Sequence, residues 1–407
     1  MDELEVELTT LVYGGDAMGR LPDGRAVFVP YGLPDERVRV RLVDEKRGHA
    51  RAELLEVLRP SPERIAPRCA HFGVCGGCHY QHLAYSRQLD YKTTILREQL
   101  VRIAGIANPP LREMRPAPAA WNYRNTVQFS LTPGGEIGYQ RAGSHEVIAI
   151  QECHLPEAPL NQLWPQFAFE PETGIDRVEL RLGLDEDILL TLESADPQPP
   201  EFTVDLPISA VHLGPAGPMV LAGDDYTVLS VFERPFRVSA GAFFQVNTAQ
   251  AEAMVTHLLD ILPLNSAQFL LDVYCGAGLF SAFLAPRVPH LAGIELSALA
   301  CRDFIANLDE FEHVDLYEGA AEMVLPALKI KPDIVVVDPP RAGLERSALE
   351  ALVGMAPATL AYVSCDPATL ARDARRLLQS GYRLTQVTPF DLFPQTYAVE
   401  SISLFEK

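Results

Sequence analysis

Cys365 closes the apolar run Leu360-Ala361-Tyr362-Val363-Ser364 and stands immediately before Asp366-Pro367, a pair that opens a helix. A thiol at the end of a strand and beside a helix amino terminus faces unpaired N–H groups and the positive end of the helix dipole. That address is expected to favour the thiolate. Asp338 has a comparable position, since Asp338-Pro339-Pro340-Arg341-Ala342-Gly343 follows the run Ile334 to Val337. Paired prolines stiffen the chain and keep the carboxylate at the strand's end. Glu400 lies downstream. A lone cysteine is ordinarily an inert core residue, but the Asp338 motif upstream and Glu400 downstream tip the balance toward a nucleophile.

Two further groups of residues suit ligands. Leu271-Asp272-Val273-Tyr274-Cys275-Gly276-Ala277-Gly278 ends an apolar run in a glycine-rich turn, which lets backbone approach a ligand closely, although the full dinucleotide fingerprint is missing. Glu295 ends the next run and is placed to accept hydrogen bonds from ribose hydroxyls. The combination suits S-adenosylmethionine, with ordinary turn glycines as the alternative. Cys69, Cys75 and Cys78 are clustered and Cys153 arrives much later. Four thiolates suit either zinc or a four-iron four-sulfur cluster, and three clustered ligands plus one remote favour the cluster. Cys275 and Cys301 are expected in the core, with His71 and His79 as bystanders.

Positioning these residues requires several modules, and 407 residues exceed one ordinary core. Residues 1–59 alternate apolar and polar side chains between glycine-rich turns, which predicts a small β-barrel of the oligonucleotide-binding kind. Pro60, Pro62 and Pro67 lead into the cysteine segment. From Tyr85 to Ile106 the period is helical, with Leu89, Ile95, Leu96, Leu100 and Ile103 on one face. Short strands return from Tyr123 to Ile150 and from Val178 to Val231. Past Pro235, apolar runs alternate with helical ones, which predicts an open, mainly parallel sheet covered on both faces, with ligands at the carboxyl ends of its strands. The expected units are 1–59, a central β-rich domain from 60–84 and 118–234 with the cysteines, and an α/β domain from 85–117 and 235–407.

An acidic amino terminus without an export signal, and no apolar stretch of membrane-spanning length, predict a cytoplasmic protein without membrane partners. Seven cysteines then argue for thiolate or metal chemistry over disulfides. A net charge of −20 argues against a nucleic-acid partner, but Arg37 to Arg124 is locally cationic while Glu170 to Glu233 is acidic, a polarity compatible with RNA on one face.

The ordered motifs Asp-Pro-Pro-Arg-x-Gly from Asp338, Tyr362-Val363-Ser364-Cys365-Asp366-Pro367-Ala368-Thr369, and Phe390-Asp391-Leu392-Phe393-Pro394-Gln395-Thr396-Tyr397-Ala398-Val399-Glu400 resemble the RNA 5-methyluridine (uracil-5) methyltransferase family. The resemblance spans nearly the whole chain. It implies a Rossmann-like S-adenosylmethionine-dependent methyltransferase sheet, an amino-terminal TRAM barrel and a central iron–sulfur domain. Phe243-Phe244-Gln245-Val246-Asn247 resembles the cofactor-contacting segment. By the same match Cys365 is the nucleophile, Glu400 the base, and Gln245, Tyr274, Gly276, Glu295 and Asp338 hold S-adenosylmethionine. Cys69, Cys75, Cys78 and Cys153 hold a structural four-iron four-sulfur cluster.

The sequence departs from the family at Asp366, Leu279 and Ala398. The implied partner is RNA, ribosomal rather than transfer RNA, met by a monomer. Trp121, Tyr123, Phe243 and Phe244 are candidate stacking aromatics, near Arg124 and Asn125, and the barrel with its basic run is expected to supply RNA affinity. A cytosine-5 DNA methyltransferase would need a Pro-Cys loop that this chain lacks. A non-catalytic RNA-binding iron–sulfur protein is the alternative from another class.

Overall fold

The computed structural model describes residues 3–199 and 206–407. Strands β1 (Glu3–Leu11), β2 (Ala17–Arg20), β3 (Ala26–Val29), β4 (Arg37–Glu45) and β5 (His49–Arg59) form a closed barrel in the order β1-β2-β3-β5-β4. Its core follows from the alternation: Val6, Leu8, Val38 and Val40 point inward and are buried. The same alternation turns arginines outward beside glutamates of neighbouring strands. Arg37 pairs with Glu5 at 2.6 Å, Arg41 with Glu53 at 3.3 Å, Arg59 with Glu7 at 3.4 Å, and Arg39 with Glu56. Much of the basic run expected to face RNA is therefore neutralised within the barrel, because cross-strand neighbours of opposite charge attract.

Helix α1 (Tyr85–Gln99) continues through a single π-helical turn, Leu100–Ala104, and stops at Gly105, whose φ of 77° is left-handed. The central sheet contains β6 (Thr126–Leu131), β7 (Ile137–Gln140) and β8 (Val147–Ala149). After α2 (Ala158–Leu163) it adds β9 (Ile175–Leu182), β10 (Ile188–Ser194), β11 (Ser209–Gly214) and β12 (Gly217–Ala222). The order is β12-β11-β10-β9-β6-β7-β8. Val127, Phe129, Leu180, Leu190 and Leu192 form its core. A separate ribbon, β13 (Tyr226–Val231) with β14 (Arg234–Ser239), shares the carboxy-terminal core through Leu229, Val231, Phe236 and Val238, although residues 226–234 were assigned above to the central module.

The carboxy-terminal part follows as α3 (Thr248–Ile261), β15 (Phe269–Val273), α4 (Leu279–Leu284), β16 (His290–Glu295), α5 (Ala298–Asn307), β17 (Val314–Glu318), α6 (Ala321–Ala327), β18 (Ile334–Val337), α7 (Arg346–Met355), β19 (Thr359–Ser364), α8 (Pro367–Gln379), β20 (Arg383–Phe390) and β21 (Glu400–Glu406). Its seven strands run β17-β16-β15-β18-β19-β21-β20, parallel as far as β19, with β21 antiparallel to both neighbours. Helices cover both faces, so the inner strands are continuous apolar runs. Leu270, Val336, Ala361 and Val363 face one core. Leu271, Val335, Val337 and Tyr362 face the other, together with Leu96 and Leu100 from α1 and its π turn. The order reverses between β15 and β18, which makes that crevice the natural ligand site of an open α/β sheet.

Candidate active site

The carboxyl edge of the sheet arranges the chemical residues in strand order. Glu295 ends β16 and the Tyr274–Gly278 turn follows β15. Asp338 follows β18, Cys365 follows β19, and Glu400 opens β21. Registers make the last three neighbours. Val337 lies beside Tyr362, and Ser364 lies opposite Ser401, so one step further the chain brings Cys365 beside Glu400. The turn after β15 is built around Tyr274 at φ 65°, Gly276 at 55° and Gly278 at 89°. A Cβ on Gly276 would meet open space, whereas one on Gly278 would stand 2.4 Å from Leu308 Cδ1, so the second glycine is demanded by packing. Glu295 accepts hydrogen bonds from the N–H groups of Gly276 (3.0 Å), Leu296 (2.8 Å) and Ser297 (2.7 Å), which ties the turn to the start of α5 and leaves lone pairs for a further donor. Gln245 is buried between β14 and α3, its carbonyl held by Asn125 Nδ2 at 3.0 Å.

The electrostatics differ from the expected thiolate. Burial, then the Glu400 and Asp338 carboxylates, push the Cys365 thiol up to about 12, with Arg341 opposing. The amino terminus of α8 does not reverse this, because Asp366 takes its free amides: Oδ1 accepts from Ala368 N at 3.0 Å and Thr369 N at 2.8 Å. Burial and the nearby Asp272 charge push Asp338 up to about 7. Burial, then Asp338, raise Glu400 well above the ordinary carboxylate range. Neither Asp338 nor Glu400 is paired with an Arg or Lys among the described residues. Both acids are desolvated, and Arg341 opposes the rise of Glu400 without forming an ion pair with it.

Cys69, Cys75, Cys78 and Cys153 are all half-buried and line one cavity of about 80 Å³ with Tyr139 and Arg124. Among the described residues no three His, Cys, Asp or Glu side chains converge on a point that would hold a single ion. Beside this cavity a groove of about 1020 Å³ runs between the barrel, the cysteine segment and the central sheet, and reaches Tyr397. Arg51 lines it without an ion-pair partner among the described residues. Of the candidate stacking aromatics, Tyr123 and Phe244 are buried and Trp121 is half-buried under Arg68, while Phe243 is 68% exposed. Cys275 and Cys301 are buried.

A family model described as tRNA (uracil-5-)-methyltransferase matches residues 226–407, and the TRAM domain matches residues 2–55. An uncharacterized RNA methyltransferase of Thermosynechococcus vestitus is 34% identical, covering 98% of this chain and 97% of the relative. One from Halalkalibacterium halodurans is 31% identical, covering 100% and 97%. The chain belongs to the RNA uracil-5 methyltransferase family. Its fold extends over the crystal structure of Pyrococcus abyssi tRNA (uracil-54, C5)-methyltransferase in complex with S-adenosyl-L-homocysteine, with a TM-score of 0.76, 23% identity, and coverage of 99% of this chain and 100% of that one. The protein is an S-adenosylmethionine-dependent RNA methyltransferase.

Within this methyltransferase the segment before Glu400 is held from several elements, and the grip includes two residues that the motifs did not single out, Gln88 and Lys92. Lys92 of α1 reaches Asp391 Oδ1 at 2.6 Å and Phe393 O at 3.0 Å, and both members of the ion pair are fully buried. Gln88, one turn earlier, exchanges two bonds of 3.0 Å with Gln395. The N–H groups of His79 and Tyr80 donate to Gln395 O, Tyr123 Oη to Pro394 O, and Asn247 Nδ2 to Leu392 O. A sequence signal existed: Gln88 and Lys92 are polar residues at i and i+4 inside a helix whose burial they share with Ile95 and Leu96.

Proposed function

We propose that the enzyme, a cytoplasmic monomer, methylates carbon 5 of a specific uridine in RNA, in 23S ribosomal RNA, through a covalent cysteine–uracil intermediate. The observation that carries this reading is the placement of Cys365 and Glu400 at facing ends of β19 and β21, with Asp338 on the next strand. S-adenosylmethionine supplies a methyl group on a sulfonium, and Gln245, Tyr274, Gly276, Glu295 and Asp338 would hold it at the β15/β18 crevice. Open space over Gly276 and the spare lone pairs of Glu295 suit that ligand.

Carbon 5 of uracil is too weak a nucleophile to take a methyl group directly. Addition of the Cys365 sulfur to carbon 6 moves electron density onto carbon 5 as an enolate. After methylation, Glu400 removes the carbon 5 proton, the double bond re-forms and the sulfur leaves. Glu400's raised position makes it a stronger base than an exposed carboxylate once it has lost its own proton. Exclusion of water by the surrounding loop serves the same step. Arg341 is exposed, free of ion pairs among the described residues, and lowers the thiol, which suits contact with the RNA near the target base.

The proposed module division is the one set out above, with the ribbon β13–β14 moved to the methyltransferase unit. The four cysteines would carry a four-iron four-sulfur cluster, since thiols spread around a cavity suit a polynuclear centre better than a zinc ion that needs every sulfur within about 2.3 Å. Methyl transfer to an enolate needs no electron, so the cluster's role is structural. Protein prepared without oxygen should contain iron and sulfide in equal amounts, and Cys153→Ser should lose both.

The second reading, transfer RNA, is favoured by one observation: a tRNA enzyme shares the full-length architecture, so a barrel alone does not select ribosomal RNA. Mapping 5-methyluridine by mass spectrometry in ribosomal and transfer RNA from cells lacking the gene decides between them. Cys365→Ala should abolish methyl transfer, and label transferred by that variant would defeat the covalent reading. A protein that transfers no label to either RNA when wild-type would instead be a non-catalytic binder.

A further inference from the structure

The barrel touches the catalytic strand ends directly. The turn between β1 and β2, Val12 to Asp16, is closed by the bonds Val12 N to Asp16 O at 2.9 Å and Gly15 N to Val12 O at 3.1 Å. From it Tyr13 donates its hydroxyl to Asp366 Oδ2, on the residue that follows Cys365. Its ring meets Tyr397 edge-on at 6.3 Å, three residues before Glu400. Gly15, at φ 92°, passes so close to Tyr397 that an added Cβ would lie 3.2 Å from that ring. One turn of the amino-terminal module therefore contacts the flanks of both residues assigned to catalysis.

We propose that Tyr13 is a positioning residue for the nucleophile: by donating to Asp366 it holds the Cys365 loop and offsets part of the negative charge standing beside the sulfur. This rests on the assignment of Cys365 above. The carboxylate of Asp366 divides its work, one oxygen capping α8 through Ala368 and Thr369 and the other receiving Tyr13. Without the phenol that second oxygen is an uncompensated charge next to a sulfur that must become anionic. The groups facing Cys365 are Glu400 from β21, Asp338 and Arg341 from the segment after β18, and Asp366 from its own loop; Tyr13 itself also faces Tyr397. Of these only Arg341 and the Tyr13 donation ease the build-up of charge. The barrel thus completes the site, beyond any affinity for RNA.

The test is the alkylation rate of Cys365 as a function of pH, read on its own peptide by mass spectrometry, in the full-length protein without RNA. Tyr13→Phe keeps the ring and is expected to displace the profile to higher pH by about half to one unit, a three- to tenfold slower reaction at fixed pH. Asp366→Asn is expected to speed the reaction, and adding Tyr13→Phe to it should then change nothing, since the charge to be offset is gone. In methyl transfer Tyr13→Phe should lower kcat and leave KM for RNA in place. An unshifted alkylation profile, an undiminished effect in the Asp366→Asn background, or a change confined to KM would overturn the proposal. Methyl transfer that survives Cys365→Ala would instead remove the nucleophile assignment, which the alkylation measurement does not depend on.

Discussion

Cys365 lies in a field of three carboxylates, Glu400, Asp338 and Asp366, against one guanidinium, Arg341. Such a site is costly to fold. Asp338 is held near 7 where an unfolded aspartate titrates near 3.9, so the folded protein binds the extra proton. Its stability contribution is fully present below about pH 4 and is lost as pH rises through 7; Glu400 has the same sign. Asp338→Asn and Glu400→Gln should therefore raise Tm at pH 8 by about 1–3 °C, since a kcal/mol moves the midpoint by roughly 1 °C in a chain of this length. The gain should vanish at pH 4, and thermal unfolding at the two pH values checks it. Glu400→Gln should at the same time slow turnover by about 10²- to 10⁴-fold and accumulate an RNA–protein adduct on denaturing gels. A variant more stable and less active at one position is the signature of strain kept for chemistry.

Individual elements hold the reactive ends in place. The Lys92–Asp391 pair fastens α1 beneath the segment leading to Glu400, and Lys92 itself is lowered by burial against the opposing pull of Asp391. Lys92→Met leaves Asp391 buried and unpaired, and should cost about 3–5 kcal/mol in denaturant unfolding, with activity falling as the segment loosens. Gly278 is a second such point. Its left-handed φ and the contact to Leu308 predict that Gly278→Ala weakens S-adenosylmethionine binding at least tenfold, measurable by calorimetry. Elements of this kind were partly visible in the pattern of the chain. The runs Phe269 to Val273 and Ile334 to Val337 are strands with those bounds, because strands buried on both faces must be apolar throughout. The helix expected from Tyr85 to Ile106 was harder to bound, since its last turn widens to π geometry before Gly105. The ribbon of β13 and β14 was split between modules, because alternation reveals a strand but not the core that it joins.

In the assembled molecule, the barrel, the cysteine segment, α1 and the segment that leads into β6 all meet the loop between β20 and β21. The groove between the barrel, the cysteine segment and the central sheet reaches Tyr397 and offers Arg51, a cation without an ion-pair partner among the described residues. Arg51→Ala should weaken RNA binding for all sequences alike and reduce the slope of log affinity against log salt by about 1, read from titrations at several salt concentrations. Residue types and short spacings placed Cys365 and Asp338 after strands and grouped Cys69, Cys75 and Cys78, since these are properties of local chain. Folding alone set the charge around them. Only the sheet order puts Glu400 beside Cys365, only burial together with the carboxylates gathered there turns an expected thiolate into a raised thiol, and only strand pairing cancels the barrel's arginines against glutamates. Each of these depends on the distance between residues remote in the chain and on exclusion of water, which a linear pattern does not carry.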